Sequence, residues 1–376
     1  MEPDIQHTIN NIESRYHRDH SVSGVSFVAY REPPGNRLAT DDDNALYTGL
    51  HLAAMSYRHQ VFYIDRFRRP SQNSRDQSIA FVHDALDGIE LLTTVTGTPG
   101  VLVRQVFPLD GAWARIGYDP VASLMGSGNT FGDRIREGRI YHGEFNGEDH
   151  VFLTKTTKDQ ISGVLFGLTC AWKFVPEVRW RVKEIVSDLW DRMQVTDYSL
   201  VDHRGNTHGT SAHKLDAPLR VCLDALYSAA VKPYGDRPDS VFFNPCINWI
   251  MTLHYNRTIQ NTYTYNLNLM IAHSLMLLNP FHDCGSGVRR WRDKLHSMVE
   301  HDNNPHFDLL AGHTQLSPAS YNSLKRRINE PYYKGFCWSR DPDEWFGVYS
   351  DKIGPGIDAM LPYWMMRYNE TMRTAR

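Results

Sequence analysis

The sequence predicts an all-α protein whose helical hairpins close into an (α/α) toroid. Apolar residues recur at helical spacing over roughly ten segments, and no alternating strand pattern separates the later ones. No strict repeat is present, which argues against a solenoid. We expect a single toroid domain over 41–376, because no linker-like segment divides it, and an irregular polar segment over 1–40.

The first two helices are indicated by their ends as well as by their apolar spacing. One is predicted over 45–58, where the acidic residues at 41–43 stand at the end that the helix dipole favours. Another is predicted over 75–95, and it stops at the Gly-Thr-Pro-Gly breaker at 97–100.

The stretch that follows, 100–157, lacks helical spacing. Residues 101–107 are predicted to form a short strand or an extended segment. The remainder is predicted to be a long Gly-rich loop insertion that includes 126–129 and 141–144. Long loops in compact domains are commonly functional. Arg104, in the extended segment, and His142, in the loop, are among the candidate substrate-binding residues.

Helical spacing returns after this insertion. Short to moderate loops join the segments, and Pro176 separates two of them by stopping one helix and starting the next. The predicted helices are 158–175, 177–195, 214–232, 242–256, 264–279, 287–302, 317–329 and 356–369.

Composition and motifs exclude several classes of protein. Forty Lys and Arg against 43 Asp and Glu give a net charge of −3, which does not favour a nucleic-acid partner. No apolar run is long enough for a membrane helix, so we expect no membrane partner. The N-terminus lacks a signal-peptide pattern, which favours the cytoplasm unless a leader has been removed. No CxxC pair, P-loop, GxSxG or HExxH motif occurs, and we expect no metal and no cofactor.

Ring side chains are abundant, with 18 His, 19 Tyr, 9 Trp and 16 Phe. Most of them are expected in the core of a helical protein. Many nevertheless cluster at loops and helix starts, at 43–51, 141–142, 203–208, 263–268 and 336–345. That placement favours a cleft lined by rings in addition to the core.

The first candidate group opens the helix at 45–58. Asp43, Tyr47 and His51 are spaced by four residues and therefore share one helix face, and Asn44 adjoins them. A carboxylate, a phenol and an imidazole form a polar stripe suited to chemistry. The alternative is an acidic helix cap over a solvated face, and the sequence leaves both open.

The second candidate group precedes an apolar, Gly-containing helix. Asp159 and Gln160 follow two threonines at the start of the helix predicted over 158–175. From a loop that enters a buried helix, this polar pair would project into a cavity. Helix capping alone explains the two residues equally well.

Other candidates lie in loops and at helix entries. His208 lies in the tight loop 202–209, and its spacing of five from a second histidine favours substrate contact or a plain turn over a metal site. Tyr265 and Asn268 lie at a helix entry, where amides need backbone or sugar hydroxyl partners. The remaining loop candidates are His306, Trp338, Arg340 and Trp345.

Together these motifs resemble the six-hairpin, (α/α)-toroid carbohydrate-active superfamily of glycoside hydrolases and polysaccharide lyases. The resemblance covers roughly residues 40–370 and rests on layout and short motifs. The motifs are Asp43-Asn44, Asp159-Gln160, Asn266-Leu267-Asn268, and Tyr363-Trp364 with Arg367-Tyr368. It implies a cleft at one end of the toroid and an oligo- or polysaccharide substrate, with rings stacked on sugar faces.

Two reactions fit such a cleft. Hydrolysis needs two carboxylates that flank the bond. Its candidates are Asp43, Asp159, Asp202 and Glu344. Elimination needs a base beside a uronic acid and a group that neutralises the acid's carboxylate. Its candidates are His208, Tyr265, Asn268 and Arg340.

We favour hydrolysis narrowly over elimination, and leave a non-catalytic glycan-binding protein and a terpene-cyclase-like enzyme as alternatives. The predicted catalytic residues are Asp43, Asp159, His208 and Tyr265. The predicted substrate-binding residues are Asn44, Tyr47, His51, Arg104, His142, Gln160, Asn268, His306, Trp338, Arg340 and Trp345. The oligomeric state stays open.

Overall fold

A computed structural model of the chain describes ten stretches of residues. They are 3–30, 38–39, 43–64, 72–108, 140–154, 156–207, 214–232, 262–278, 286–329 and 352–375. These residues are mostly helical, as the sequence predicts, and contain eleven α-helices and eight short β-strands. One cluster of buried apolar side chains extends from Ile5 near the N-terminus to Met366 near the C-terminus.

The helices occupy the positions that apolar spacing predicts, with ends shifted by a few residues. In chain order they are α1 Pro3–Arg15, α2 Asn44–Ile64, α3 Gln72–Thr94, α4 Lys158–Phe174, α5 Arg179–Val195, α6 Ala217–Ala230, α7 Thr262–Leu278, α8 Ser286–Ser297, α9 Pro305–Leu310, α10 Pro318–Asn329 and α11 Ile357–Thr374. Each helix that the sequence predicts within the described residues is confirmed, and the helix predicted at 242–256 lies outside them.

The expectation of an irregular segment over 1–40 is corrected, because α1 and a following π-helical turn, Tyr16–His20, form there. Ile5, Ile9 and Ile12 are buried, and their spacing of four and three places them on one helix face. α1 contacts α10 and α11, so the N-terminal residues belong to the common core.

The strands form three small antiparallel sheets among the described residues. In chain order they are β1 Ser21–Val22, β2 Val25–Ser26, β3 Val28–Tyr30, β4 Leu38–Ala39, β5 Gln105–Pro108, β6 Ile140–Phe145, β7 Glu148–Leu153 and β8 Lys352–Ile353. β1 pairs with β2, β3 lies between β4 and β8, and β7 lies between β5 and β6. The β3–β8 pairing joins the N-terminal segment to the start of α11.

The stretch 100–157, expected to be mainly a loop insertion, is partly a β-sheet. Its β6–β7 turn is Asn146-Gly147, and both residues have positive φ, at 53° and 82°. A two-residue hairpin loop needs that conformation, and Asn-Gly provides it at little cost. The loop predicted at 141–144 is therefore part of strand β6, whereas 126–129 lies outside the described residues.

Helix α2 is deeply enclosed in the described fold. Every residue from Asn44 to His59 is buried, including polar side chains. The helix contacts α3, α4 and α11 on different sides. A helix enclosed in this way belongs to the interior of a large core and not to its surface.

Glycines allow α2 and α4 to approach each other at backbone distance. A Cβ added at Gly49 would lie 2.2 Å from the Gly163 carbonyl oxygen, and one at Gly167 would lie 2.3 Å from the Gly49 oxygen. These distances are too short for any side chain, which explains why glycine stands at all three positions. Close packing of this kind fixes the register between the two helices.

The two helices run parallel, so their N-terminal ends lie together. Leu46 contacts Gly163 near the starts of α2 and α4, and the rings of Tyr57 and Phe174 are 4.7 Å apart near their ends. At the start of α4, Lys158 pairs with Asp216, which caps α6, at 3.5 Å. Three helix starts are therefore adjacent.

Helices α4 and α5 meet at a sharp bend of 115°. Pro176 opens the short 3-10 turn between them, Pro176–Val178, as its predicted stop-and-start role requires. No single helix in the described ranges is long and apolar enough to cross a membrane, and this bent pair meets those criteria only when its two helices are taken together.

Candidate functional site

Asp43, at the start of α2, accepts hydrogen bonds from two neighbouring side chains. Arg104 Nη2 donates to Asp43 Oδ1 at 3.2 Å, and Gln160 Nε2 donates to the same oxygen at 2.7 Å. The side chains of Asp43 and Arg104 are 24% and 20% exposed, whereas Gln160 is fully buried. The Asp43 carboxylate is therefore anchored on its buried side and accessible to solvent on the other.

A second carboxylate, that of Asp159, is linked to the first through Thr157. The Thr157 hydroxyl contacts Asp159 Oδ1, lies 2.5 Å from Gln160 Oε1 and lies 3.5 Å from Arg104 Nη1. Gln160 Oε1 also accepts from the Thr157 backbone N–H at 2.9 Å, which is one half of a capping box. We refer to Asp43, Arg104, Thr157, Asp159 and Gln160 as the Asp43 cluster.

Backbone hydrogen bonds hold Arg104 in position for this cluster. Its N–H donates to Leu153 O at 2.9 Å, and its carbonyl accepts from Ala45 N at 3.4 Å. The Thr156 hydroxyl donates to Leu102 O at 2.5 Å, which ties the start of α4 to the same stretch. Four parts of the chain therefore meet at one point: the residues before β5, the end of β7, and the starts of α2 and α4.

The cluster combines groups that transfer protons with groups that stabilise negative charge. Carboxylates act as general acids, general bases or nucleophiles, and guanidinium and amide donors stabilise charge that develops in a reaction. The dipoles of α2 and α4 add positive potential at the same end. Within the described ranges, no group of three or more His, Cys, Asp or Glu side chains could hold a metal ion.

The other members of the predicted polar stripe are buried in the packed interior. Asn44 Nδ2 donates to the Ser26 carbonyl at 2.6 Å, and Tyr47 is buried. The buried His51 ring stacks on Tyr16 with centroids 3.7 Å apart, and burial holds the pKa of His51 well below its usual value. The four-residue spacing is correct, but the fold covers this face of α2 and leaves no solvated stripe.

Tyr265, Asn268 and His306 lie around α7. The buried Tyr265 hydroxyl donates to Met298 Sδ at 3.4 Å, in the contact between α7 and the end of α8. Asn268 is also buried. His306 Nε2 is 3.0 Å from Asn266 Oδ1, and burial lowers the pKa of His306 well below its usual value. The structure therefore brings Asp43, Arg104, Asp159 and Gln160 together and places these three residues among packed helices.

The remaining candidates are exposed, local to a turn, or outside the described residues. His142 is exposed on β6. Burial alone would raise the pKa of Asp202, but hydrogen bonds from Asn206 and the Arg204 N–H lower it, which indicates a closed turn. The candidates outside the described residues are His208, Trp338, Arg340, Glu344 and Trp345.

Sequence reasoning missed the linking role of Thr157 and two buried arginines. The run Thr157-Lys158-Asp159-Gln160 matches the capping-box pattern, which was the available signal for Thr157. Arg58 and Arg327 lie on otherwise buried helix faces. Their positions become informative only when the phase of each helix is known.

No family profile, no curated protein and no solved structure matches this chain. The class of this protein is therefore described from its fold and from the Asp43 cluster. It is a mostly helical protein with two linked carboxylates at the N-terminal ends of two parallel, closely packed helices.

Proposed function

We propose that this protein is a carbohydrate-active enzyme that hydrolyses glycosidic bonds of an oligo- or polysaccharide at the Asp43 cluster. The observation that carries the proposal is the linkage of two half-exposed carboxylates, Asp43 and Asp159, through Gln160 and Thr157. Glycoside hydrolysis requires two carboxyl groups near the scissile bond, one as acid and one as base or nucleophile.

In this assignment Asp43 is the base or nucleophile and Asp159 is the proton donor. Asp43 accepts hydrogen bonds from a guanidinium and a carboxamide, and N–H donors of this kind stabilise a carboxylate that must carry charge. Asp159 contacts the hydroxyl of Thr157. Arg104 and Gln160 are positioning residues for Asp43.

The arrangement of helices supports a cleft at this end of the molecule. α2, α4 and α6 start side by side, α3 follows α2 as the second helix of a hairpin, and α5 follows α4 after a bend of 115°. A ring of such hairpins is an (α/α) toroid, and it would place the Asp43 cluster at the mouth of the ring. The resemblance to the six-hairpin superfamily implies a glycan site at the same place.

Elimination is the second candidate, and the described residues give it less support. Tyr265, the predicted base, is buried against Met298. Arg104, which has the charge needed to neutralise a uronate, already pairs with Asp43. The carboxylate pair has a direct use in hydrolysis and none in an elimination that relies on a phenol.

A panel of neutral and acidic oligo- and polysaccharides tests the proposal. Each glycan is incubated with the protein, and new reducing ends are measured together with the ultraviolet absorbance of unsaturated uronates. We expect reducing ends without a rise in absorbance. A rise in absorbance would establish elimination, and binding without products would establish a glycan-binding protein. Either result would overturn hydrolysis.

Substitution of the two carboxylates connects turnover to the cluster. Asp43→Asn and Asp159→Asn should each lower kcat by about 10³-fold or more, while the helical circular dichroism signal is retained. Asp191→Asn, an exposed carboxylate on α5, is the matched control and should keep wild-type turnover. Wild-type rates in Asp159→Asn would remove Asp159 from the site.

A further inference from the structure

A second group of polar side chains is buried where α7, α9, α10 and α11 meet. Arg327 on α10 is 3% exposed, and none of its three guanidinium nitrogens has a hydrogen-bond partner among the described residues. The same holds for Asn266 Nδ2, Asn304 Nδ2 and Asp358 Oδ2, all of them in buried residues. Because buried polar atoms are nearly always paired, a convergent set of unpaired ones indicates a ligand site.

Contacts with His306 place the two asparagines next to each other, and α10, which carries Arg327, packs against α9 and α11. Asn266 Oδ1 is 3.0 Å from His306 Nε2, and Asn304 Oδ1 accepts from the His306 backbone N–H at 3.1 Å. Each asparagine thus uses its oxygen within the fold and keeps its NH₂ group as a donor. The Arg327 charge adds to burial in lowering the pKa of His306, and it opposes burial at Asp358 by lowering that residue's pKa.

The unpaired atoms of the group are mainly donors. Arg327, Asn266 and Asn304 contribute five unpaired nitrogens, and Asp358 contributes one unpaired oxygen. His306 is neutral near pH 7, because its pKa lies well below the usual value of 6.5. A guanidinium with an excess of buried, unpaired donors favours a ligand with several acceptor oxygens.

We infer that this cluster binds the carboxylate of an acidic sugar, with Arg327 as the main ligand and the amides of Asn266 and Asn304 as flanking donors. A guanidinium presents parallel N–H groups that match the two oxygens of a carboxylate. Asp358 Oδ2 accepts from an adjacent sugar hydroxyl. The choice of a sugar rests on the proposed function, whereas carboxylate binding follows from the cluster itself.

Binding to the full-length protein tests the inference independently of turnover. The probes are glucuronate and galacturonate, their neutral counterparts glucose and galactose, and inorganic phosphate at matched ionic strength. Calorimetry gives Kd, and thermal unfolding gives Tm. We expect uronates alone to bind and to raise Tm. The assignment would be overturned if phosphate or the neutral sugars bind preferentially, or if uronate does not bind. This result does not depend on the outcome of the hydrolysis assay.

Arg327→Met removes the guanidinium at similar side-chain length. It should weaken uronate binding about 100-fold and raise the Tm of the ligand-free protein by about 2–5 °C, because an unpaired buried charge destabilises a fold. Arg327→Lys keeps the charge but loses the paired donors, and it should bind about 10-fold more weakly. Arg326→Met, at the half-exposed neighbouring position, is the control for the ligand and should leave uronate affinity unchanged.

A structural role for Arg327 gives the opposite pattern. Arg327→Met would then lower Tm, and uronate affinity would stay at the wild-type value in both Arg327→Met and Arg327→Lys. Unchanged affinity in these two variants overturns the inference. It leaves the hydrolysis proposed for the Asp43 cluster intact, because that activity is measured separately.

Discussion

Two arginines are buried to the same degree, but the fold surrounds them differently. Arg58 on α2 is 4% exposed, and its Nε lies 3.1 and 3.2 Å from the two carboxylate oxygens of Glu13. Its Nη2 donates to Gln77 at 3.1 Å, and three aromatic rings lie within 5.6 Å of the guanidinium. Arg327 on α10 is 3% exposed and has no hydrogen-bond partner among the described residues.

This difference separates a charge with a structural role from a charge available to a ligand. Removal of a guanidinium from water costs roughly several kcal/mol, and at Arg58 the ion pair with Glu13 and the cation–π contacts offset that cost. Glu13 is itself bonded to Trp364 Nε1 at 2.7 Å. Arg327 has no hydrogen-bonded carboxylate in the described part of the chain, which is why we assign it to binding.

The largest effect is expected when the Glu13–Arg58 pair is broken. Arg58→Met leaves Glu13 buried without its cation, and removal of one partner of a buried pair costs about 3–5 kcal/mol. Urea unfolding should show that Arg58→Met lowers the free energy of unfolding by this amount, whereas Arg327→Met should raise it. The change in unfolding free energy should therefore have opposite signs at two equally buried arginines, and this difference is the strongest test of the comparison.

A double variant supplies the control for this pair. Glu13→Gln combined with Arg58→Met removes both charges, so it should recover part of the stability that Arg58→Met loses. If the double variant loses the sum of the two single effects, Glu13 and Arg58 are not coupled, and the contrast with Arg327 fails.

The next largest effect is the pH dependence of stability that Asp358 contributes in the cluster around Arg327. Burial raises the pKa of Asp358 from 3.8 to about 6, although the charge of Arg327 acts in the opposite direction. As pH rises, the unfolded chain releases this proton before the folded protein does. The stabilising contribution is therefore full below pH 3.8 and is lost as pH rises through about 6. It amounts to about 3 kcal/mol.

Asp358→Asn isolates this contribution from those of the other carboxylates. Between about pH 4 and pH 7, the unfolding free energy of the wild type should fall by roughly 2 kcal/mol more than that of Asp358→Asn. Asp191→Asn, at an exposed position, should follow the wild type. If the unfolding free energies of the wild type and Asp358→Asn change with pH in parallel, this carboxylate ionises in the folded protein without a loss of stability.

The helices could be predicted from sequence because their signals are local. Apolar spacing and acidic starts locate α2 and α4, and the Gly-Thr-Pro-Gly breaker at 97–100 locates the end of α3. The stripe formed by Ile5, Ile9 and Ile12 was an equally local signal for α1, and Asn146-Gly147 was one for the β6–β7 hairpin. Both were present in the sequence and were outweighed by the polar or Gly-rich composition around them.

The assembly of the candidate site could be predicted only in part. Asp43, Asp159 and Gln160 were identifiable because helix starts expose polar groups. Their contact depends on the parallel packing of α2 and α4, which the glycines at 49, 163 and 167 permit. The cluster around Arg327 draws on four helices spread over residues 262–374, and no local pattern reports which buried donors remain unpaired there.

The smallest effect is expected at Gln160, in the Asp43 cluster, whose side chains are hydrogen-bonded to one another. Gln160→Met keeps the side-chain volume but removes the acceptor for the Thr157 N–H and the donor to Asp43. Because Asp43 keeps its bond from Arg104, the loss should be about 1–2 kcal/mol in urea unfolding. Turnover should fall about 10-fold, since Asp43 is held less firmly.

Gln160→Glu distinguishes the two roles of this side chain. It retains an oxygen acceptor for the Thr157 N–H but places a second carboxylate against Asp43. If the bond to Asp43 matters, this variant should lose more stability at neutral pH than at acidic pH, where one carboxyl is protonated and donates to the other. Equal stability at both pH values would assign Gln160 to helix capping alone. The order of the Asp43 cluster would then come from the cap of α4, and Arg104 would be the residue that positions Asp43.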